Sequence, residues 1–511
     1  MEKKQSAICD GSLPADPMTL DHGRAASLLL EYVATPAFRS AEEHEKVVQD
    51  NPFRRPVRPE DFGEMVDFSS PLTEHTAFSL GGLLTQRVLM NMNEADLVFV
   101  PPSPEVADDV RRDGEAFYSA RTRMLGTLLQ PFLERHVFGF LPSLHEFDPS
   151  SISNKEGLRR YIRDVETRLT SSDSTYARVI NAVSDREQVA RQFVIQVIGT
   201  EATRASAFLR LLAGIYGPPQ HGVARWLHRY PDNNLVCEAV TGDRRSRLAM
   251  SLDLVPHPHA HWQFYLTGAM GVTNWLHGVC RDHSKLAEAI GAMLYAGMDF
   301  QATRRQHSAM LSDVFGAENT DTTLFDDAVD RSLEEEWETL VDPLIQRLGD
   351  RSIAAIARGF ETCRAIHALA ACDFEAQFTW ADRSDQSIRF ARGFMDKIKS
   401  EHIDVDLETF IEPREMCSTT HVHDTDRLLV IESGTMEFWN SFGHSMQFDP
   451  GDVMFVPRHR LHGSTVLSES CTYHQPIVTP DVMRTIPGWE ELTPPERTSS
   501  CTRTTGNVSR P

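Results

Sequence analysis

The chain has 511 residues, more than a single hydrophobic core serves, so two or three domains of ordinary size are expected. Lys plus Arg number 51 against 73 Asp plus Glu, a formal net charge of -22 with no basic cluster, which argues against a nucleic-acid backbone or an anionic membrane as partner. The first thirty residues mix charges (Glu2, Lys3, Asp10, Asp16) without an apolar signal core, and no apolar run of roughly 18 residues follows, so a soluble cytoplasmic protein is expected. Eight cysteines are scattered without a Cys-x-x-Cys pair, as suits reduced thiols better than a disulfide framework or a structural zinc.

In chain order, residues 1–75 read as an extended leader rich in charge, Pro and Ser, with Asn51-Pro52-Phe53-Arg54-Arg55-Pro56 as its clearest stretch. Residues 76–145 carry apolar positions at helical spacing, as in Leu128 to Leu133, and read as a helical N-terminal region closed by the breakers Pro142 to Ser151. From 152 to 398, amphipathic stripes over Val189–Tyr216, Trp262–Val279, Ser284–Leu311 and Leu324–Leu348 predict an all-α bundle. From 400 to 490 the period changes to that of strands: Arg427–Ile431, Thr435–Trp439 and Val453–Val456, separated by Ser433-Gly434 and Asp449-Pro450-Gly451-Asp452. Residues 491–511 are polar and expected to be disordered. The fold class is multidomain α+β, a helical bundle followed by a C-terminal β-barrel.

Three histidines fall in that last region. His421 and His423, two apart on a strand, share a face, and His462 from a later strand meets them only if the sheet curls back. Three imidazoles so placed make a candidate metal site; the alternative is barrel residues without a metal. The pattern His421-Val422-His423, Gly434, Gly451, Pro457 and His462 resembles the two motifs of the cupin superfamily, small barrels that usually hold a divalent metal. The resemblance implies metal ligands at His421, His423 and His462. The glutamate usual in the first motif is Arg427 here, and the second motif has His459 where a glycine is usual. Three neutral ligands leave positions for O2 and a chelating substrate and favour iron(II) over a closed structural site. Arg427 cannot ligate a metal; it reads either as a substrate-binding residue gripping a carboxylate or as a surface strand residue. Of Tyr473 and His474 only one can face inward, and Tyr473 is preferred as a proton donor near the metal.

The run Ala289 to Met298, then Val314-Phe315-Gly316 and Leu324 to Glu335, is similar to the core of the haem-oxygenase-like di-iron oxidases, with Cys237 to Asp243 resembling their acidic turn. The resemblance implies ligands where this chain has Met298, Ala328, Ser332 and Glu335, and a histidine near Arg247 or Leu248, so the di-iron set is expected to be lost. A displaced set from Asp299, His307, Asp326, Asp327, Asp330 or Glu335 is the counter-reading, and His257-x-His259-x-His261 reads as a loop.

The three parts in this order resemble the N-nitrosourea-forming enzymes of streptozotocin biosynthesis. In that family the bundle hydroxylates guanidine nitrogens of methylated L-arginine, and the cupin, with one iron and O2, rearranges the product into an N-nitroso compound. The resemblance implies an O2-dependent cupin oxidase with one Fe(II) per chain, acting on an N-hydroxylated amino acid or guanidine supplied by an upstream N-oxygenase, in a homodimer held through the bundle. A cupin dioxygenase of a different small molecule and a non-catalytic partner of an active di-iron homologue are the other readings.

Overall fold

The computed structural model describes residues 22–34, 66–96, 100–101, 103–201, 203–217, 219–229, 244–256, 260–327, 332–402, 406–414, 416 and 418–485. Residues 51–59, the acidic turn 237–243, His257, His259, Ala328, Asp330 and the tail 491–511 lie outside them.

The helical part runs through α1 (His22–Val33), α2 (Leu80–Asn93), α3 (Ala107–Phe117), α4 (Ala120–Phe138), α5 (Lys155–Ser171), α6 (Thr175–Ala182), α7 (Arg186–Gly199) and α8 (Arg204–Gly214). It continues with α9 (Pro219–Arg229), α10 (Arg244–Ser251), α11 (Thr267–Arg281), α12 (Leu286–Phe315), α13 (Asp342–Leu348), α14 (Arg351–Asp382) and α15 (Ser384–Glu401). Among the described residues no helix is long and apolar enough to cross a membrane.

Several expectations need correction. The leader is not extended throughout: Leu28, Leu29, Tyr32 and Val33 of α1 form one apolar face and pack on Leu125, Leu129 and Leu133 of α4, and the Tyr32 hydroxyl donates to Asn91 Oδ1 at 2.9 Å. Val189–Tyr216 is two helices, α7 and α8, broken after Gly199. The stripe Leu324–Leu348 is also broken, into Thr323–Asp326, Leu333–Glu336, a π turn at Trp337–Val341 and α13, which restarts with a proline in its first turn. The breaker segment before residue 152 does interrupt the helices and is clamped to α14. The Glu146 N–H donates to Glu361 Oε1 at 2.6 Å, and Arg364 reaches Glu146 at 3.0 Å and Glu361 at 2.7 Å.

The two longest helices, α12 and α14, lie side by side because both present glycine at the crossing. A Cβ on Gly291 would stand 2.0 Å from the Ile356 carbonyl oxygen, and one on Gly359 would stand 1.9 Å from that of Glu288. Only hydrogen at both positions lets the backbones approach so closely.

After α15 come β1 (Thr409–Pro413), β2 (Arg427–Ser433), β3 (Met436–Ser441), β4 (His444–Phe448), β5 (Val453–Val456), β6 (Gly463–Val466) and β7 (Ser470–His474). They form two antiparallel sheets, ordered β1-β7-β2-β5 and β4-β3-β6. Leu429, Ile431, Met436, Phe438, Met454, Val456 and Tyr473 fill the space between them, while Leu428 and Phe455 turn outward onto Phe390 and Phe394 of α15. The expected barrel is thus an open pair of sheets, with no continuous ladder around it among the described residues; an isolated bridge between His421 and His462 lies outside the named strands. Val422, Trp439 and Leu461 leave the β region's own core and join that of the bundle, beside Phe264, Phe374 and Phe378.

Candidate metal centre

The bridge builds the site. The His421 N–H donates to the His462 carbonyl at 2.9 Å and the His462 N–H to that of His421 at 3.0 Å, and such a pair sets both side chains on one face. His423, two residues on, joins them. Ring centroids are 4.9 Å apart for His421 and His423, 4.5 Å for His421 and His462, and 4.9 Å for His423 and His462. One ring nitrogen from each lies within 4.8 Å of the others, and among the described residues no other group of three metal-competent side chains converges so closely.

The hydrogen bonds decide which nitrogen is offered. His421 Nδ1 lies 2.9 Å from the Thr419 carbonyl and His462 Nδ1 lies 2.8 Å from that of Arg460. A carbonyl only accepts, so each Nδ1 carries the proton and the Nε2 lone pair is left for a ligand. Nε2 of His462 is buried without a hydrogen-bond partner. Burial, then the adjacent imidazoles and Arg427, hold His423 well below the ordinary imidazole range; burial, then His421 and Arg427, do the same to His462. Phe438 stacks on His462 at 5.4 Å and fixes its plane. A buried neutral donor with no partner, tied from behind at its other nitrogen, is what a divalent metal requires, so the residues present fit one.

Arg427 opens β2 on the inward face shared by Leu429 and Ile431. Its Nη1 donates to Glu408 and its Nε to Thr425 Oγ1 at 3.2 Å. It is therefore not a surface strand residue, although in this structure a carboxylate of the chain already holds it. Tyr473 faces inward and His474 outward, as expected. The hydroxyl of Tyr473, however, donates to Glu412 at 3.0 Å and its ring stacks on Phe410 at 5.2 Å. Tyr473 is in register with Ile431, which places it about 13 Å along β2 from Arg427, four residues at a strand rise of about 3.3 Å. The structure brings the three histidines together, with Arg427 within electrostatic reach of His423 and His462, and ties the Tyr473 hydroxyl to Glu412.

The bundle shows what stands at the positions the di-iron resemblance singles out. Met298 and Leu248 are buried in apolar clusters, Arg247 is paired with Asp321 at 2.9 Å, and Ser332 caps Leu333–Glu336 by accepting from Glu335 N at 3.2 Å. Among the described residues the displaced set does not converge: Asp299 bonds His367 Nδ1 at 3.2 Å, His307 bonds the Ser174 hydroxyl at 2.7 Å, and Asp326 accepts from Thr322 at 2.6 Å. His261 is buried with neither ring nitrogen hydrogen-bonded and packs on Phe442 at 4.8 Å.

Sequence reasoning missed the residues that hold the triad from the bundle side. Arg87 of α2 donates to the Thr420 carbonyl at 2.8 Å and to its hydroxyl at 3.0 Å, and Gln263 accepts from Thr420 N at 3.1 Å. Gln377 of α14 donates to the carbonyls of Asn440 at 2.7 Å and Leu461 at 2.9 Å and accepts from Leu461 N at 2.8 Å. Their only trace in the sequence is a polar residue within an apolar helical stripe, as in Phe374, Gln377 and Phe378.

Compared with known proteins, the chain is 29% identical over 465 residues, 90% of its length, to a nitrosourea synthase of Streptomyces achromogenes subsp. streptozoticus, of which 96% is covered. The resemblance read from the two motif regions therefore extends over nearly the whole chain. No family model matches it.

Proposed function

We propose, from the similarity to a nitrosourea synthase, that this chain is an oxidoreductase of natural-product biosynthesis that forms or rearranges N–N or N–O bonds. Its substrate is an N-hydroxylated amino acid or guanidine of the arginine type. The observation that carries the reading is the convergence of His421, His423 and His462 with the buried Nε2 of His462 unpartnered. These three would hold one iron(II), which when bound supplies one-electron chemistry with O2 as co-substrate and open positions for a chelating N-hydroxy group.

The chain's own residues do the rest. The paired Nδ1 atoms of His421 and His462 orient both rings so that each presents its Nε2. Arg427, the charged group beside His423, receives the substrate carboxylate in exchange for Glu408. The apolar wall of Leu429, Met454 and Phe438 keeps water from the reacting nitrogen. Met298, Leu248 and Ser332 stand where di-iron ligands would be needed, so the N-hydroxy group is installed beforehand by a separate N-oxygenase.

The test is anaerobic iron(II) loading of the wild type and of His423→Ala, with metal analysis and O2 uptake on N-hydroxy-arginine derivatives. One iron per chain, lost in the variant and coupled to O2 uptake, is expected. Two irons surviving His423→Ala would put the activity in the bundle. No iron at all would make the chain a non-catalytic partner.

A further inference from the structure

We infer that Gln377 of α14 is a positioning residue for the histidine triad, so that the helical bundle sets the geometry of the metal centre. The inference rests on the reading of His421, His423 and His462 as a metal site. His462 follows a segment without regular structure, in which His459 turns through a left-handed conformation at φ 61°. Apart from the His459 N–H to the His423 carbonyl at 2.8 Å, such a segment has no regular ladder to hold a ligand in place. At Leu461, immediately before the ligand, both main-chain groups go to one carboxamide: N–H to Gln377 Oε1 and C=O to Gln377 Nε2, at 2.8 and 2.9 Å. The same Nε2 also ties Asn440 of β3 at 2.7 Å, so one buried side chain fixes the ligand segment to the strand beside it in the same sheet.

The other ligand of the bridge is held in the same way. Thr420, immediately before His421, is gripped at its carbonyl and hydroxyl by Arg87 and at its N–H by Gln263. The two residues that precede the bridged histidines are thus both anchored to helical elements, while the histidines bond each other. Releasing Gln377 leaves a donor and two acceptors unpaired in a buried interface, and a shift of the segment to satisfy them moves the His462 Nε2. Outer groups of this kind typically contribute 10–100-fold to metal affinity. A bundle with no di-iron ligand set at the described positions therefore still has a structural task in the chemistry of the β region.

The test compares Co(II) binding by wild type, Gln377→Met and Gln130→Met, by competition titration and visible absorption, in full-length protein with folding checked by circular dichroism. Gln130 is a buried bundle carboxamide bonded to Asn93 at 3.0 Å and serves as the remote control. Expected are a roughly 10–100-fold weaker Co(II) affinity and an altered visible spectrum for Gln377→Met, with Gln130→Met like wild type. If Gln377→Met does not fold, Arg87→Lys, which keeps the charge but loses the two-pronged grip on Thr420, is expected to weaken Co(II) in the same direction. Wild-type affinity and spectrum in the folded Gln377 variant, or in Arg87→Lys where that variant decides, would overturn the inference. A wild type that binds no Co(II) would instead overturn the metal reading on which it rests.

Discussion

His421 and His462, far apart in sequence, exchange both main-chain hydrogen bonds at 2.9 and 3.0 Å, and their imidazole centroids stand 4.5 Å apart. Each histidine also turns its own Nδ1 back onto a carbonyl two residues earlier. Backbone pairing thus sets the separation of the two rings, and local hydrogen bonds set their tautomer.

Arg427 is bound to Glu408 and lies on the inward face of β2, within electrostatic reach of His423 and His462. If it receives the substrate carboxylate, Arg427→Lys loses a two-pronged hydrogen bond and KM for an N-hydroxy-arginine rises about tenfold or more with folding intact. Glu408→Gln, which frees the guanidinium, moves KM the other way. Steady-state kinetics on both variants decide this; an Arg427→Lys variant with unchanged KM would leave Arg427 as a partner for Glu408 alone.

His459 sits at φ 61°, where a β-carbon is unfavourable, and its N–H donates to the His423 carbonyl at 2.8 Å. His459→Gly relieves the backbone at the cost of a more flexible unfolded chain, and the two nearly cancel to within about 1 kcal/mol. His459→Val brings a β-branched residue into the same conformation and is expected to cost about 1–2 kcal/mol or more. Urea unfolding of the pair checks it.

At the crossing of α12 and α14, Gly291→Ala would push a methyl group to 2.0 Å from the Ile356 oxygen, which is backbone and cannot rotate away. The helices must separate, so a loss of about 3 kcal/mol or more and a clear drop in Tm are expected. A Tm within a degree or two of wild type would mean the crossing is looser than described.

Burial pushes His261, His277 and His307 down to about 4, each held neutral inside the bundle. In the unfolded chain each titrates near 6.5, so between these values the unfolded state binds more protons and stability rises with pH. The contribution is complete above about pH 6.5 and falls away as pH drops toward 4, on the order of 2 kcal/mol per histidine at pH 5. Urea midpoints at pH 7.5 and pH 5 should show the fall, and His261→Phe, which removes two unpaired ring nitrogens, should shrink it.

Much of this protein was legible in its residues because the signals are local. Two histidines two apart share a face of an extended segment, although the structure gives His421 only an isolated bridge and His423 no strand, and the apolar, β-branched runs Arg427 to Ile431 and Val453 to Val456 mark strands that the structure contains. Apolar spacing likewise marked α11, α12 and most of the bundle. Where competing signals stood close together, the same reading failed. The charged surroundings of Leu28 to Val33 concealed α1, and a continuous stripe from Leu324 to Leu348 concealed a break and a π turn, because periodicity registers which face is apolar but not whether the helix is continuous.

Sequence alone determined the three candidate histidines, the two-residue spacing of His421 and His423 and the order of helices before strands, since these depend on neighbours along the chain. Only the tertiary structure decided that His462 bridges His421, that Arg427 meets Glu408, that Tyr473 turns to Glu412, and that Arg87 and Gln377 reach from the bundle to the residues preceding two of the histidines. Each of these contacts joins segments far apart in the chain, where the pairing of a buried donor with its acceptor is set by how the two cores close on each other and not by any local pattern.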